Sequence, residues 1–104
     1  MSVEIEVLEV ARQEFDEAYV YYESARAGLG GEFREEIKRQ VMKIKEHPDA
    51  WMLVSPGIRK CLGKRFPYDV VYQKTDAGIL ILALAHKHRR PLYWRERARQ
   101  GSQG

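Results

Sequence analysis

The first half of the chain passes from a strand pattern to a helical one. Val3, Ile5 and Val7 alternate with glutamates, and this period of two predicts a short strand with one buried face. Over residues 9–27 the apolar positions recur every three or four residues, which predicts an amphipathic helix. Its buried stripe would consist of Ala11, Phe15, Ala18, Tyr22 and Ala25.

A second helix is predicted after a glycine-rich turn at residues 28–31. Glycine adopts the left-handed conformation without strain, so this turn can close the first helix. Within the second helix, Glu35 and Arg39 have the spacing of an ion pair. The helix should end near His47, because Pro48 disfavours helical backbone in the residue before it. Its apolar stripe would be Phe33, Ile37, Val41 and Ile44, and the two helices would form an antiparallel hairpin.

The second half of the chain has the pattern of a sheet. After a loop that holds Trp51 and residues 55–57, strands are predicted at residues 58–66, 68–74 and 79–85. The last of them is a continuous apolar run, as expected for a central strand buried on both faces. The three strands would form a meander. Residues 90–98 are predicted as a final short helix, since proline suits the first helical turn.

These elements predict an α+β domain in the order strand, helix, helix, strand, strand, strand, short helix. A small, antiparallel-rich sheet would carry the two-helix hairpin on one face and leave the other face partly open. A chain of 104 residues has room for one domain, which we place at residues 1–99 with a frayed tail at residues 100–104.

The composition excludes several classes of protein. A hydrophobic share of 44% and a charged share of 32% are typical of a folded globular chain rather than a disordered one. No apolar run approaches the roughly 18 residues that a membrane-spanning helix needs. The single cysteine, Cys61, cannot form an internal disulfide, and the N-terminus has no basic region ahead of a long apolar run. We therefore expect a cytoplasmic protein without membrane partners, in which Cys61 is buried and inert.

The net charge of +3 conceals two opposed halves. Residues 1–54 hold 7 Lys/Arg and 12 Asp/Glu, whereas residues 55–104 hold 11 and 3, which gives −5 and +8. Such segregation indicates a polyanionic or acidic partner, because clustered cations recruit phosphate or carboxylate groups. The alternative is a solvated basic surface that only keeps the domain soluble.

Residues 85–95 combine two imidazoles, four cations and two aromatic rings. This composition suits nucleic acid, because cations neutralise phosphate, aromatic rings stack on bases and histidine transfers protons near neutral pH. We expect no metal site at His86 and His88, since no cysteine or acidic ligand lies nearby and the adjacent cations would repel a metal ion. The alternative for Tyr93 and Trp94 is structural, with Trp94 closing the core and Tyr93 half exposed.

Metal-free RNA cleavage requires cations for the scissile phosphate, a base for the 2′-hydroxyl and an acid for the leaving oxygen. The candidate acids and bases are His86, His88, Tyr72 and Tyr93. Because neighbouring strands lie about 5 Å apart, we expect basic residues that are distant in sequence to converge in one shallow hollow on the open face. They are Arg59, Lys60, Lys64, Arg65, Lys87, Arg89 and Arg90.

Two stretches of the second half carry a more specific pattern. Residues 59–72 read R-K-C-L-G-K-R-F-P-Y-D-V-V-Y, and residues 81–97 read I-L-A-L-A-H-K-H-R-R-P-L-Y-W-R-E-R. In this order behind a helical hairpin, they resemble the RelE/ParE superfamily of toxins from bacterial type II toxin–antitoxin pairs. The resemblance covers nearly the whole chain. It implies a small cytoplasmic toxin without cofactors, held inactive in a hetero-oligomer by a cognate antitoxin that wraps over it.

The two branches of this superfamily differ in target. RelE-like members are endoribonucleases that cut messenger RNA on the ribosome, whereas ParE-like members poison DNA gyrase and have a longer helical hairpin. The nucleases use basic residues on the sheet, an arginine after the last strand and a C-terminal tyrosine. Where they bear that arginine and tyrosine, this chain has His88 and Trp94, with Arg90 and Tyr93 close by. These departures and the predicted hairpin favour a ParE-like toxin, and the RelE-like nuclease is the alternative.

The resemblance also implies which residues form the site. If the chain is a nuclease, its catalytic residues would come from Arg59, Lys64, Arg65, His88, Arg90 and Tyr93. The surface that binds the antitoxin or the target would comprise Arg59, Lys60, Arg65, Lys87, Arg89, Arg90, Trp94 and Arg95.

Overall fold

The computed structural model describes residues 3–99, in which two helices pack on one sheet. The strands are Glu4–Val7 (β1), Met52–Ser55 (β2), Ile58–Cys61 (β3), Tyr68–Lys74 (β4) and Gly78–His86 (β5). The helices are Glu9–Ala25 (α1) and Leu29–Glu46 (α2), and a short 3-10 helix covers Arg95–Arg97. Neither α1 nor α2 is long and apolar enough to cross a bilayer. The predicted α+β fold with a helical hairpin on a small sheet is confirmed.

The strands are ordered β1-β5-β4-β3-β2 across the sheet. β1 pairs with β5 in parallel, and every other neighbouring pair is antiparallel. β5 therefore has hydrogen-bonded neighbours on both sides along its first half. All side chains from Ile79 to Ala85 are buried, as predicted for a strand covered on both faces.

The structure adds strand β2, where the sequence predicted a loop. β2 lies at the edge of the sheet, and Met52 and Leu53 are more than half exposed. An edge strand with exposed side chains shows no alternation of apolar and polar residues, so its sequence carries little strand signal. A tight turn joins β2 to β3, and Gly57 within it has a φ of 76°, in the left-handed region.

Strand β3 is shorter than the predicted strand at residues 58–66, because the chain turns sharply after Cys61. A Cβ atom on Gly63 would lie 2.2 Å from the carbonyl oxygen of Tyr68, so only glycine allows this approach. The backbone N–H groups of residues 64, 65 and 66 then donate to the carboxylate of Glu36 on α2 at 3.1–3.2 Å. The segment belongs to a loop held against the helix.

The turn between the helices is shorter than predicted. α1 ends at Ala25, and α2 already begins at Leu29, so Gly30 and Gly31 belong to the second helix. Gly28 has a φ of 91°, which fits the left-handed conformation expected of the turn. The carboxylate of Glu23 accepts the N–H groups of Gly28 and Gly30, both at 2.9 Å, and so ties the two helices together.

Each face of the sheet has its own apolar core. The core under the hairpin includes Phe33, Ile37, Val70, Tyr72 and Ile81. The expectation of a partly open second face is corrected, because residues 92–98 pack there against a second core of Ile58, Val71, Leu80, Leu82, Ala83, Ala85 and Trp94. This C-terminal segment contains turns and only three residues of 3-10 helix, in place of the predicted helix at residues 90–98. Trp94 is 4% exposed and closes the core, as its structural interpretation predicted.

Candidate partner-binding site

A hollow of about 160 Å³ lies on the second face of the sheet, at the end where β5 finishes. Cys61 pairs with Val70 and Tyr68 pairs with His86, so the end of β3, the start of β4 and the end of β5 meet there. We call this the basic hollow. Its charged and aromatic lining consists of Lys60, Asp69, His86, Lys87, Arg89, Arg90, Tyr93 and Trp94.

The expectation that all the basic residues converge in this hollow is wrong for three of them. Arg59 alternates with Lys60 along β3 and donates to the carbonyl oxygen of Trp51 at 2.8 Å, on the hairpin side of the sheet. The side chain of Arg65 pairs with Glu32 of α2. Lys64 lines a separate cleft beside α2, because the loop that carries it is held to that helix.

A buried carboxylate that the sequence analysis missed lies within the basic hollow. Asp69 is 4% exposed, and its Oδ1 atom lies 2.6 Å from the Nζ atom of Lys87. Its Oδ2 atom lies 3.6 Å from the Nζ atom of Lys60, and Oδ1 also accepts the N–H of Gly63 at 3.1 Å. Two of the predicted anion-binding cations are thus already neutralised. An aspartate inside an otherwise apolar strand pattern was the available signal.

A second missed carboxylate, Glu14 of α1, anchors the C-terminal segment. It accepts the hydroxyl of Tyr93 at 2.8 Å and both terminal NH groups of Arg97 at 3.1 Å. Oε1 also accepts the backbone N–H of Leu84 at 3.1 Å. β1 pairs with β5 only as far as Ile81, so Glu14 satisfies a donor on the edge of β5 that no strand covers.

Tyr93 is held as a hydrogen-bond donor. Burial, followed by the hydrogen bond to Glu14, raises the pKa of Tyr93 far above its usual value. The guanidinium groups of Arg89 and Arg97 lie 4.0 and 5.0 Å from the centre of its ring. A tyrosine that stays protonated and already donates to a carboxylate is unsuited to act as a general base at neutral pH.

The predicted acid–base candidates fall into two separate places. Tyr72 is fully buried, donates to the carbonyl oxygen of Pro48 at 2.6 Å, and has a pKa that burial raises to about 12. It belongs to the core under the hairpin and so lies away from the basic hollow. His86 and His88 lie at the hollow's edge with ring centres 5.3 Å apart. His86 Nδ1 accepts the N–H of His88, which places the proton of a neutral His86 on Nε2.

Two cations of residues 85–95, Arg90 of the hollow and Arg95, which follows the hollow's Trp94 in sequence, have no side-chain partner within residues 3–99. The side chains of Arg90 and Arg95 are exposed and make no ion pair or hydrogen bond with the described residues. Arg89, by contrast, lies 3.7 Å from the carboxylate of Glu14. Arg90 and Arg95 are therefore the cations best placed to meet an incoming carboxylate or phosphate.

The described residues contain no cluster of three or more His, Cys, Asp or Glu side chains that could hold a metal ion. Cys61 is buried against the hairpin, and burial raises the pKa of its thiol. A buried thiol with a raised pKa has little nucleophilic thiolate at neutral pH.

The fold of this chain is similar to those of several solved structures. The chain is similar to a chain of the chromosomal ParDE toxin–antitoxin system from P. aeruginosa, with a TM-score of 0.71, 17% identity, and coverage of 82% of this chain and 96% of that one. It is also similar to a double arginine-to-alanine mutant of E. coli toxin RelE in the free state, with a TM-score of 0.65, 20% identity, and coverage of 89% and 92%.

A further match is the same RelE mutant in complex with a peptide of the antitoxin RelB, with a TM-score of 0.62, 19% identity, and coverage of 96% and 98%. No family sequence model and no curated protein sequence matches the chain. The likeness is therefore one of fold, and it agrees with the fold that the sequence resemblance implied.

Proposed function

We propose that this chain is the toxin of a type II toxin–antitoxin pair that arrests growth in the cytoplasm and contributes to plasmid stabilisation. Its fold matches toxins of two such systems over more than four-fifths of the chain. We propose further that it acts as ParE-like toxins do, by binding DNA gyrase, and that a cognate antitoxin neutralises it.

Asp69 is the observation that most favours gyrase inhibition over RNA cleavage. Its buried carboxylate pairs with Lys60 and Lys87, the two lysines that line the basic hollow and would otherwise be available to phosphate. A phosphate entering there would have to displace a carboxylate that is also hydrogen-bonded to Gly63. Tyr93 is similarly engaged by Glu14. A surface of this kind suits binding to a protein better than catalysis on a phosphodiester.

The basic hollow is the proposed site for the antitoxin. Arg90 and Arg95 are exposed and have no side-chain partner in the described part of the chain, and Leu92 and Tyr93 are half-buried next to them in sequence. An antitoxin segment that fits this surface should combine acidic with apolar side chains. One of the similar structures is a RelE–RelB peptide complex, which supports an antitoxin partner for this fold.

The direct test uses purified chain in two assays side by side. We expect inhibition of plasmid supercoiling by DNA gyrase and no effect on protein synthesis in a cell-free extract. Adding the cognate antitoxin should restore supercoiling, and R90A/R95A should weaken the complex with the antitoxin. Arrest of translation together with cleaved messenger RNA would overturn the gyrase proposal while leaving the toxin assignment intact.

The second candidate is a RelE-like, ribosome-dependent mRNA interferase. It is favoured by the two imidazoles of His86 and His88, which lie near the unpaired Arg90 and could transfer protons at a bound phosphate. If this candidate is correct, R90A should abolish cleavage of messenger RNA on the ribosome. H88A should lower the cleavage rate by about two orders of magnitude or more.

A further inference from the structure

A second cluster of cations lies on the hairpin side of the same end of the sheet. Arg39 and Lys43 of α2, one helical turn apart, and Lys64 of the loop after β3 line a cleft of about 190 Å³. Its remaining lining residues are Glu36, Gln40 and Leu62. We call this the α2 cleft, and it is separate from the basic hollow and from the site proposed above.

The three cations of the α2 cleft have no ion-pair or hydrogen-bond partner within residues 3–99. The predicted pair of Glu35 with Arg39 does not form, because Glu35 instead lies 3.7 Å from Lys38. The one carboxylate in the cleft, Glu36, already accepts three backbone N–H groups from residues 64–66. Three ammonium or guanidinium groups therefore face a single carboxylate, which leaves a positive excess of two charges.

The cations converge although they come from distant parts of the sequence. All three cations line one cleft together with Gln40 of α2, whose side chain donates to the carbonyl oxygen of Cys61 at 3.0 Å. The end of β3 and the helix are therefore in direct contact where the cations gather. Like charges gathered without a counter-ion are a cost to the folded state, and such a cost is typical of a binding surface.

The walls of the α2 cleft are held rigidly. Gln40 is 4% exposed, and its Nε2 atom donates to the carbonyl oxygens of Cys61 and Tyr68 at 3.0 and 3.3 Å. With the three bonds to Glu36, these contacts fix the loop that carries Lys64 against α2. A ligand would meet positioned charges and would lose less conformational entropy on binding.

An apolar side chain next to these cations indicates which kind of ligand they suit. Leu62, which lines the cleft, is 44% exposed. A nucleic acid backbone offers this side chain no apolar partner, whereas a peptide can alternate acidic and apolar side chains. The combination favours a polypeptide.

We propose that the α2 cleft binds an acidic polypeptide segment of a partner protein, with carboxylates on Arg39, Lys43 and Lys64 and an apolar side chain against Leu62. The segment would approach from the hairpin side, so the cleft and the basic hollow could be occupied at the same time. This proposal does not depend on which target the chain inhibits.

The test measures binding of a fluorescein-labelled peptide of twelve alternating Glu and Leu residues by fluorescence anisotropy at low salt. R39A/K43A/K64A should bind the peptide at least about tenfold more weakly than the unaltered chain, since three carboxylate contacts are removed. The matched control is R12A/K38A/K74A, which removes the same residue types from surfaces where each is already paired with a carboxylate. It should bind as the unaltered chain does.

Two further variants and a second ligand, a single-stranded DNA, are measured in the same way. L62S should bind the peptide more weakly than the unaltered chain does. Its affinity for a twelve-nucleotide single-stranded DNA should not change. R90A/R95A should weaken peptide binding less than R39A/K43A/K64A does, since it alters only cations outside the α2 cleft. The proposal is overturned if both triple variants lose the same amount of peptide affinity, or if only R90A/R95A loses it. It is also overturned if the DNA binds more tightly than the peptide and its binding depends on the same three cations.

Discussion

The basic hollow and the α2 cleft lie on opposite faces at the same end of the sheet. They differ in whether a buried carboxylate neutralises their cations. In the hollow, the buried Asp69 neutralises Lys60 and Lys87. In the cleft, the buried carboxylate binds backbone N–H groups, and the side chains of the cations have no partner among residues 3–99. The number of cations in a region therefore says little about its capacity to bind an anion. What matters is what each buried carboxylate binds.

One loop produces both arrangements. The N–H of Gly63 donates to Asp69 on one side, and the next three N–H groups donate to Glu36 on the other. Residues 63–66 therefore form the partition between the hollow and the cleft. The two carboxylates hold the loop from its two sides, so each is expected to affect the surface that it does not face.

Removing the carboxylate of Asp69 should have the largest effect. D69A leaves the buried N–H of Gly63 without an acceptor and two partly exposed lysines without their counter-ion, so it should cost about 2 to 3 kcal/mol of unfolding free energy. Urea denaturation followed by circular dichroism measures this loss. The same variant should bind a short RNA more tightly, because Lys60 and Lys87 become available to phosphate.

The control for D69A is an exposed ion pair between strand β4 and the turn that follows α2. Asp49 and Lys74 lie 3.0 Å apart with both side chains more than half exposed, so D49A should cost less than about 1 kcal/mol. Equal losses for D49A and D69A would show that burial of the Asp69 pair contributes nothing. An unchanged RNA affinity in D69A would show that Asp69 is not what keeps phosphate out of the hollow.

Glu14 should have the next largest effect. E14Q keeps the shape of the side chain but weakens the charge-assisted hydrogen bonds from Tyr93 and Arg97, at a cost of about 2 kcal/mol. E17Q, on the same helix, is the control and should be near neutral. Hydrogen exchange should become faster at Leu84 in E14Q, since its N–H donates to that carboxylate. Unchanged exchange there would contradict the proposed anchor.

The sequence predicted best the elements whose side chains are buried in a regular pattern. The stripe of α2, the stripe of α1 apart from the exposed Ala25 and the apolar run of β5 correspond to cores in the structure, because burial repeats with the period of the element. β2 was missed because its exposed position at the sheet edge removes that pattern. The loop after Cys61 was taken for strand because Gly63 turns the chain through contacts that no local pattern reveals.

The sequence predicted the site only in part, for a related reason. Lys87, Arg89, Arg90 and Trp94 gather where residues 85–95 leave the sheet, as a cluster that is contiguous in sequence should. Arg59 was misplaced because adjacent residues of a strand face opposite sides, and the mixed pattern of its strand hid which side was which. Asp69 and Glu14 were missed because their roles depend on partners 18 and up to 83 residues away.

Ionisation of the fully buried Tyr72 and the half-buried Tyr93 at alkaline pH should have a smaller effect on stability. Raised pKa values stabilise the folded state below the ordinary value of 10.0, and this stability is lost as the pH rises through the folded value, to about 12 for Tyr72. Unfolding free energy should therefore fall above pH 10, and less steeply in Y72F. In E14Q, Tyr93 should ionise at lower pH, because Glu14 no longer opposes its charge while Arg89 and Arg97 still favour it. Absorbance at the tyrosinate band, with Y93F as reference, measures the change.

The smallest effect on stability is expected from R39A/K43A/K64A, which alters the α2 cleft and can be compared with K60A/K87A in the basic hollow. None of these side chains has a partner within residues 3–99, so removing them should change the unfolding free energy by less than about 0.5 kcal/mol, or raise it by relieving repulsion. K60A/K87A should instead be destabilised, because it leaves the carboxylate of Asp69 buried without a cation. If the two variants were equally destabilised, the cations of the α2 cleft would have to stabilise the fold, and they would not be free to bind a partner. If only K60A/K87A is destabilised, charge in the hollow serves the fold and charge in the cleft remains free for binding.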